Sequence, residues 1–466
     1  MARDKLFAGH AVRRLRRRTG LTQAAMAEML AISPSYLNLI ERNQRALPAA
    51  LLVAMAERFD FDPRGLGGDE PGGGAEAIRR RLADPLFADL AIDRHEVEEW
   101  LAAAPGGAEA FARAFDRIGG GGGAPGGVED DDPMLLARRE IDRWRNHFAD
   151  LDAMAEALAD ELRLSGADLY GALVERLRVR HGLSIRILPV EVMPDLLRRL
   201  DLHARQLQIS ERLAPAERIF ALAHQLGGLE ARGEVDALAR GAGFAERTAE
   251  RLFRQHLLGY FAGAVMMPYA RFLRACEASG YDVPILERRF GASFDQVARR
   301  LTTLQRVGAR GLPFFLLRID RAGQVAERLA GASGAVLVEA AGRCPLWRLH
   351  HAFDRPGTLA VQMVELEDGA RWITLARSTP APGAPVVGAE AVPAEHAIGL
   401  GVAAQHVAGL HAARGIDPAG PATPIGLGCR ACLRADCPQR SAPPAGRARI
   451  VQDRERGLSP YRFAEE

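Results

Sequence analysis

The first constraint on the fold is a pair of helix start signals near the N-terminus. Gly20 interrupts a basic helical segment, and Thr22 is placed to cap the helix that follows it. The pair Ser33-Pro34, an N-cap followed by proline at the first helical position, predicts a further helix from Ser35. Two short helices joined by a three-residue turn are typical of a helix-turn-helix, in which the second helix presents its N-terminal residues to base edges.

Positive charge is concentrated in this same segment. Residues 1–66 carry a formal charge of +5, whereas the rest of the chain carries −3. This segregation predicts that only the first segment meets a polyanion, and double-stranded operator DNA is the expected partner. Base contacts are expected from the first turn of the recognition helix, and phosphate contacts from the residues flanking the two helices. The predicted DNA-binding residues are Gln23, Ser33, Ser35, Tyr36, Asn38, Arg42, Asn43 and Arg45.

Lysine is almost absent, which excludes several enzyme classes. Lys5 is the only lysine among the 61 residues of lysine and arginine. A Walker P-loop, a protein-kinase fold and a pyridoxal-phosphate Schiff base each require a positioned lysine, which a terminal residue does not provide. No apolar signal segment and no apolar stretch of about 18 residues is visible, so a cytoplasmic protein without a membrane partner is expected.

Composition and periodicity divide the chain into four segments. These are a head at 1–66, a helical connector at 67–180 with a glycine-rich linker near 119–127, an α+β segment at 181–312 and a C-terminal α+β domain at 313–466. A strand pair is predicted around His203, and the later candidate strands are 314–319, 335–338, 359–366 and 372–375. The expected fold is therefore multidomain, with an all-α head before an α+β body.

Two of these segments resemble known families. The runs Leu21-Thr22-Gln23-Ala24-Ala25-Met26-Ala27 and 33–42 resemble the XRE (Cro/cI-like) helix-turn-helix family. The helix at 214–229 resembles the active-site helix of the zincin-like ImmA/IrrE-type zinc peptidases, which carries His-Glu-x-x-His. Here only His224 remains of that motif, since Gln225 stands in the glutamate position and Gly228 in that of the second histidine.

Hydrolysis is not expected from this degenerate motif. An amide cannot act as a carboxylate base, and one histidine cannot hold zinc without other donors, although His256 on a later helix is a possible further ligand. The alternative hypothesis is that the protein is a zinc metallopeptidase that acts on a regulator. His224 by itself is either a hydrogen-bonded structural histidine or a wall of a vacated cleft that serves as a pocket.

Nearly the whole chain resembles the short-chain fatty acyl transcriptional regulators. The segments 260–268, 288–301, 308–315, 344–347 and 424–429 carry this resemblance. It implies a regulator of propionate, glyoxylate or methylcitrate metabolism that senses an acyl-CoA or short-chain fatty acid. Candidate effector-binding residues are His224 and Arg328. The segment Gly323–Arg328 departs from the family pattern, and its acidic Glu327 would oppose CoA phosphates if it touched them.

Cysteines are crowded near the C-terminus. Cys429, Cys432 and Cys437 lie within nine residues, and Cys344 is a remote thiol that would complete a four-sulfur set. Four thiolates can bind an iron–sulfur cluster, for example 4Fe–4S, or a tetrahedral zinc ion. Free or redox-active thiols are the third interpretation. The family resemblance favours the iron–sulfur cluster. Cys276, isolated on a helix, is expected to be a buried small hydrophobe.

The resulting hypothesis is a one-component regulator that acts without enzyme activity. The head binds operator DNA as a homodimer, and the body binds the acyl-CoA or short-chain fatty acid effector. A purely redox-sensing iron–sulfur regulator is a further alternative. It differs from the main hypothesis because the cluster would then be its only signal.

Overall fold

The computed structural model describes residues 9–42, 44–59, 74–82, 87, 90, 92–119, 132–164, 168–340, 343–384, 394–457, 459 and 461–464. Asn43 of the predicted DNA-binding set lies outside these ranges, as does most of the predicted glycine-rich linker. The chain divides into two units, Met1–Ala124 and Pro125–Glu466. Among the described helices, none has the length and apolar character that crossing a membrane requires.

The head is built from four short helices. These are α1 (Gly9–Arg18), α2 (Gln23–Met29), α3 (Pro34–Glu41) and α4 (Ala49–Phe59). The side chain of Thr22 accepts a hydrogen bond from the backbone N–H of Ala25, which caps α2 as predicted. Ala31 turns the chain between α2 and α3 through a left-handed conformation with a φ of 56°. The fully buried core side chains include Val12, Met26, Leu37, Ile40 and Met55.

A small helical cluster completes the first unit. It contains α5 (Gly74–Leu82), α6 (Arg94–Ala103) and α7 (Pro105–Gly119). Asp93 caps α6, and the side chain of Glu96 accepts a hydrogen bond from the backbone of Asp93 in return. The buried residues at its centre are Ile78, Val97, Ala108 and Ala112.

The second unit begins with three helices and a small sheet. The helices are α8 (Pro133–Arg143), α9 (Ala149–Leu164) and α10 (Leu169–His181), and the strands are β1 (Ser184–Leu188), β2 (Arg198–Asp201) and β3 (Gln206–Ser210). The strand order is β1-β3-β2, with β3 parallel to β1 and antiparallel to β2. The later part of the predicted connector, from Pro133 onward, thus belongs to the core of this unit.

Six further helices contribute to this core. They are α11 (Pro215–Glu230), α12 (Arg232–Gly241), α13 (Arg247–Met266), α14 (Tyr269–Ser279), α15 (Val283–Phe290) and α16 (Phe294–Leu301). The long helix α13 contacts α8, α9, α11 and α12. Its buried side chains, among them Phe253, Leu257 and Phe261, form the middle of the hydrophobic core.

A six-stranded sheet forms the rest of the second unit. Its strands are β4 (Phe315–Ile319), β5 (Val325–Leu329), β6 (Ala360–Glu365), β7 (Arg371–Pro380), β8 (Glu395–Ala403) and β9 (Thr423–Pro424), in the order β5-β4-β8-β7-β6-β9. Leu316 on β4 packs into the helical core, whereas Phe315 and Leu317 pack on the opposite face with Trp347 and Trp372. Because both faces are covered, the strand reads as a nearly continuous apolar run.

One predicted strand is wrong. Residues 335–338 contain the β-prone run Val-Leu-Val, but Val336–Glu339 form the short helix α17. Leu337 and Val338 are buried in the same cluster as Phe315. Tertiary packing has therefore overridden the local strand propensity.

Candidate DNA interface and effector cavity

The predicted base-contacting residues surround the start of α3. Ser33 accepts a hydrogen bond from the backbone N–H of Tyr36 at 3.1 Å, so its side-chain oxygen caps α3. Ser35 is exposed on the first turn, and Tyr36 is half-buried beside it. The guanidinium of Arg45 lies 5.4 Å from the centre of the Tyr36 ring, and Arg42 is exposed at the end of the same helix.

A buried carboxylate fixes the recognition helix against its neighbours. Glu41 has no exposed surface, and Arg16 of α1 donates to its two oxygens at 2.6 and 3.1 Å. Gln23 donates to Glu41 at 2.8 Å and to the Asn38 side-chain oxygen at 3.3 Å. Burial by itself raises the pKa of Glu41, but these hydrogen bonds hold it below its ordinary value. The network places Gln23 and Asn38 side by side.

Sequence reasoning missed Arg16 and Glu41. The available signal was Glu41 itself, which follows the buried Leu37 and Ile40 at helical spacing and is therefore on the apolar side of α3. A buried acid requires a cationic partner, and the basic helix α1 supplies one.

His224 lies on α11 and is held by hydrogen bonds. Arg198 of β2 approaches its Nδ1 atom at 2.8 Å, and the Gln255 side chain forms a second hydrogen bond with it. Burial, with Arg198 adding to it, lowers the pKa of His224 to about 4. A neutral ring that accepts the Arg198 hydrogen bond through Nδ1 uses the lone pair of that nitrogen, so Nδ1 is not free to bind a metal.

His256, the possible further metal ligand, is hydrogen-bonded through one ring nitrogen. The Nε2 atom of His256 lies 2.8 Å from the side-chain oxygen of Asn146. Across the described residues, no three side chains of histidine, cysteine, aspartate or glutamate are arranged to hold a metal ion. Gln225 and Gly228 supply neither a base nor a ligand.

A cavity of about 900 Å³ opens beside His224. Its lining residues come from helices α11, α13, α15 and α16 and from strands β2, β4, β5, β7 and β8. Its charged lining residues are Arg198, Arg212, Arg299, Arg300, Arg318, Arg377, Glu217, Glu287, Asp295 and Glu327. This volume lies within the range of small-molecule binding sites.

Most of the cavity arginines are neutralised by carboxylates. Arg299 pairs with Asp295 at 3.1 Å and with Glu327, and Arg318 pairs with Asp295 at 2.6 Å. Arg300 pairs with Asp152, and Arg377 pairs with Glu287. In the part of the chain that the structure describes, Arg198 and Arg212 have no carboxylate partner.

Of the two predicted effector-binding residues, only His224 lines this cavity. Strand alternation in β5 turns Glu327 and Leu329 towards the cavity and Arg328 away from it. The Arg328 guanidinium instead lies 3.5 Å from the carbonyl oxygen of Val338. Glu327 does face the cavity, but Arg299 and Arg318 offset its charge.

The C-terminal cysteines lie near cationic and N–H donors. Cys432 and Cys344 are buried, and burial, with Cys344 contributing, raises the pKa of the Cys432 thiol. Arg440 lies 3.9 Å from the Cys432 sulfur, and the backbone N–H of Ser441 donates to the Cys429 sulfur at 3.4 Å. Cys437 is half-buried, and all four thiols are free.

Acid should weaken the second unit through His256. Burial lowers the pKa of His256 to about 4, whereas an unfolded histidine titrates near 6.5. The unfolded chain therefore binds a proton that the native state excludes, so this contribution is complete above pH 6.5 and is lost as the pH falls towards 4. Between pH 7 and pH 4.5 we expect this residue to cost about 2 kcal/mol of the free energy of unfolding.

Urea unfolding between pH 7 and pH 4.5 measures this effect. His256→Gln keeps an amide donor for Asn146 and should reduce the pH dependence of the free energy of unfolding. The contribution of His224 to that pH dependence should remain. His351→Gln is the matched control, because the His351 side chain is 61% exposed. An unchanged pH dependence in His256→Gln would contradict the assignment.

The class of protein follows from these two units. A helix-turn-helix with a capped recognition helix is joined in one chain to a peptidase-like body without a general base or second histidine. That body contains a ligand-sized cavity beside the one remaining histidine of the motif. This combination is typical of a DNA-binding regulator, and the cavity has the size of a small-molecule site.

Comparison with known proteins identifies the family. Family models match residues 12–66 as a helix-turn-helix, 178–302 as an IrrE N-terminal-like domain and 303–461 as the C-terminal domain of short-chain fatty acyl coenzyme A regulators. The chain belongs to the short-chain fatty acyl coenzyme A regulator family. The sequence-based prediction of family and fold class is thereby confirmed.

Named relatives match over nearly the whole chain. The propionyl-CoA carboxylase regulator of Cereibacter sphaeroides is 36% identical over 99% of this chain and 100% of its own. The transcriptional regulators RamB and PrpR of Mycobacterium tuberculosis are 34% and 32% identical, covering 98% and 99% of this chain and 99% and 97% of their own. A solved Mycobacterium tuberculosis transcriptional regulator superposes with a TM-score of 0.66 at 32% identity, covering 71% of this chain and 99% of that one. The protein is therefore a DNA-binding transcriptional regulator and not a peptidase.

Proposed function

We propose that this regulator controls short-chain fatty acid metabolism by binding an acyl-CoA-type effector in the cavity beside His224. The observation that carries the proposal is a cavity of about 900 Å³ in which six arginines face four carboxylates. Such a lining favours a ligand that is both sizeable and anionic, as an acyl-CoA is. The relative named as a propionyl-CoA carboxylase regulator supports propionate metabolism as the controlled pathway, and glyoxylate and methylcitrate metabolism are the alternatives.

Regulation requires two states with different affinities for the effector. A ligand that binds both states equally shifts nothing, however tightly it binds. We propose that the effector favours one arrangement of two heads in a homodimer, because helix-turn-helix proteins commonly read two half-sites related by a two-fold axis. Sedimentation of the protein with operator DNA is expected to give two chains per duplex, and one chain per duplex would contradict the dimer.

Thermal unfolding with acyl-CoAs tests effector binding. A ligand at about 100 times its dissociation constant stabilises the native state by about 2.7 kcal/mol. We expect at least one member of a series from acetyl-CoA to butyryl-CoA to raise the Tm of the second unit by several degrees. The same series at equal concentration should leave the Tm of the first unit unchanged. Absence of any shift across the series would contradict the effector proposal.

We also propose that Cys344, Cys429, Cys432 and Cys437 hold an iron–sulfur cluster, with zinc as the alternative. The donor set supports this, since Arg440 lies near the Cys432 sulfur and the Ser441 N–H donates to the Cys429 sulfur. Gathering all four thiols requires a rearrangement of this segment, because the described side chains form no metal-holding group.

Metal analysis tests the cysteine proposal. Iron, acid-labile sulfide and zinc should be measured in anaerobically purified protein. Cys432→Ser is expected to lose the metal, whereas Cys276→Ser should retain it, because Cys276 is buried on α14 outside the set. Protein that contains neither iron nor zinc would contradict the proposal.

A further inference from the structure

Arg198 is the one cavity arginine that contacts the remaining histidine of the degenerate motif. It lies on β2, and its Nη1 atom is 2.8 Å from the Nδ1 atom of His224 on α11. Because that ring nitrogen accepts the hydrogen bond, His224 orients the guanidinium and adds no positive charge of its own. The Arg198 guanidinium is therefore a cation of fixed orientation in the cavity wall beside the histidine.

Arg198 also lacks the carboxylate partner that four other cavity arginines have. Arg299, Arg300, Arg318 and Arg377 each pair with an acid, whereas Arg198 has no such partner among the described residues. Arg212, the other arginine without one, donates to the carbonyl oxygen of Pro194 at 2.9 Å. A half-buried guanidinium with an uncompensated charge costs stability, which is typical of a ligand-binding group.

We propose that Arg198, held by His224, is the oxyanion-binding residue of the cavity. This inference rests on the proposed function, since the oxyanion would belong to the effector. With Nη1 bound to His224, Nε and Nη2 remain to donate in parallel to the two oxygens of a carboxylate or phosphate. Gln255, bonded to the same histidine, keeps the ring in the orientation that this geometry needs.

The oxyanion has two possible sources in an acyl-CoA. One is a phosphate of the nucleotide, and the other is a free carboxylate at the end of a dicarboxylic acyl group. Binding of CoA, propionyl-CoA and succinyl-CoA distinguishes them, and inorganic phosphate and propionate test the subsite without CoA. A phosphate source predicts that all three CoA compounds depend on Arg198, whereas a carboxylate source predicts that only succinyl-CoA does.

Calorimetric titration of the full chain with these five ligands tests the proposal. Arg198→Gln is expected to weaken binding of the dependent ligands by about 10- to 100-fold, as expected for loss of hydrogen bonds to a charged group. Arg199→Gln is the matched control. It removes an arginine from the next position of the same strand, where Arg199 donates to Gln208 at 2.8 Å and does not line the cavity.

Stability of the ligand-free protein separates binding from a structural role. Arg198→Gln removes a charge without a carboxylate partner, so its Tm should equal or exceed that of the wild type. A lower Tm with unchanged affinities would overturn the proposal, as would wild-type protein that binds none of the five ligands. Binding of phosphate or propionate that is lost in Arg198→Gln, together with no binding of any CoA compound, would support the subsite and contradict the acyl-CoA effector.

Discussion

Replacement of Asp152 by alanine is expected to lower the free energy of unfolding of the second unit by about 3–5 kcal/mol. Asp152 is fully buried on α9, and Arg300 of α16, which is 2% exposed, donates to it at 2.6 Å. Without Asp152, the guanidinium would remain buried with no opposite charge beside it. Breaking a buried pair from one side is strongly destabilising for this reason.

The surroundings of this pair explain why the effect should spread. The Tyr260 hydroxyl on α13 donates to the second Asp152 oxygen at 2.6 Å, so the carboxylate links three helices. Burial by itself raises the pKa of Asp152, but Arg300 and the other hydrogen-bond partners hold it below the ordinary value. Arg300 also lines the cavity and donates to the Met267 carbonyl oxygen at 3.0 Å. The loss should therefore weaken effector binding as well.

Urea unfolding followed by tryptophan fluorescence measures the change. Three of the four tryptophans, Trp144, Trp347 and Trp372, lie in the second unit and report on it. Asp160→Ala is the matched control, because Asp160 lies on the same helix and pairs with Arg271 while 63% exposed. Such a surface pair contributes less than about 1 kcal/mol. Equal effects of the two substitutions would show that the buried pair has no special role.

A triple substitution of Ser35, Tyr36 and Asn38 by alanine is expected to remove operator selectivity. Each good base contact contributes about 1–3 kcal/mol of discrimination, so three together predict a loss of selectivity of about a hundredfold or more. The caps Thr22 and Ser33 are left in place, so the fold of the head should survive. Arg42 and Arg45 remain to contact phosphates, and salt-sensitive non-specific binding should therefore persist.

Fluorescence anisotropy with a selected operator and a scrambled duplex, over a range of salt concentrations, measures both properties. Val53→Ser on α4 is a suitable control, because Val53 is 55% exposed in the head and outside the recognition helix. The control should retain the wild-type preference for operator. A triple variant that still prefers operator over scrambled DNA would show that other residues read the bases.

Local signals were sufficient to predict the helices of the head and their caps. The caps Thr22 and Ser33 are set by neighbours within three residues, so their roles follow directly from the sequence. The link between Arg16 and Glu41 spans 25 residues and became visible only in the structure. What sequence reasoning missed here is a tertiary contact, not a helix.

In the cavity, too, the sequence indicated the residues of a local motif but not the contacts between distant residues. His224 could be selected because its motif lies on one helix, but Arg198 reaches it from a strand 26 residues earlier. The sequence predicts Arg328 as an effector-binding residue, but Glu327 and Leu329 on either side of it line the cavity, because side chains alternate along β5. One position along a strand reverses the face, and the sequence of this short strand does not mark which face is buried.

Control of operator binding by an effector is measured most directly as the operator Kd with and without a saturating acyl-CoA. Coupling between two sites typically amounts to about 5- to 150-fold in affinity. We predict a change of that size for wild-type protein with its best-binding acyl-CoA, and a smaller change at the same concentration for Arg198→Gln. An operator Kd that stays the same when the cavity is saturated would contradict effector control of this regulator.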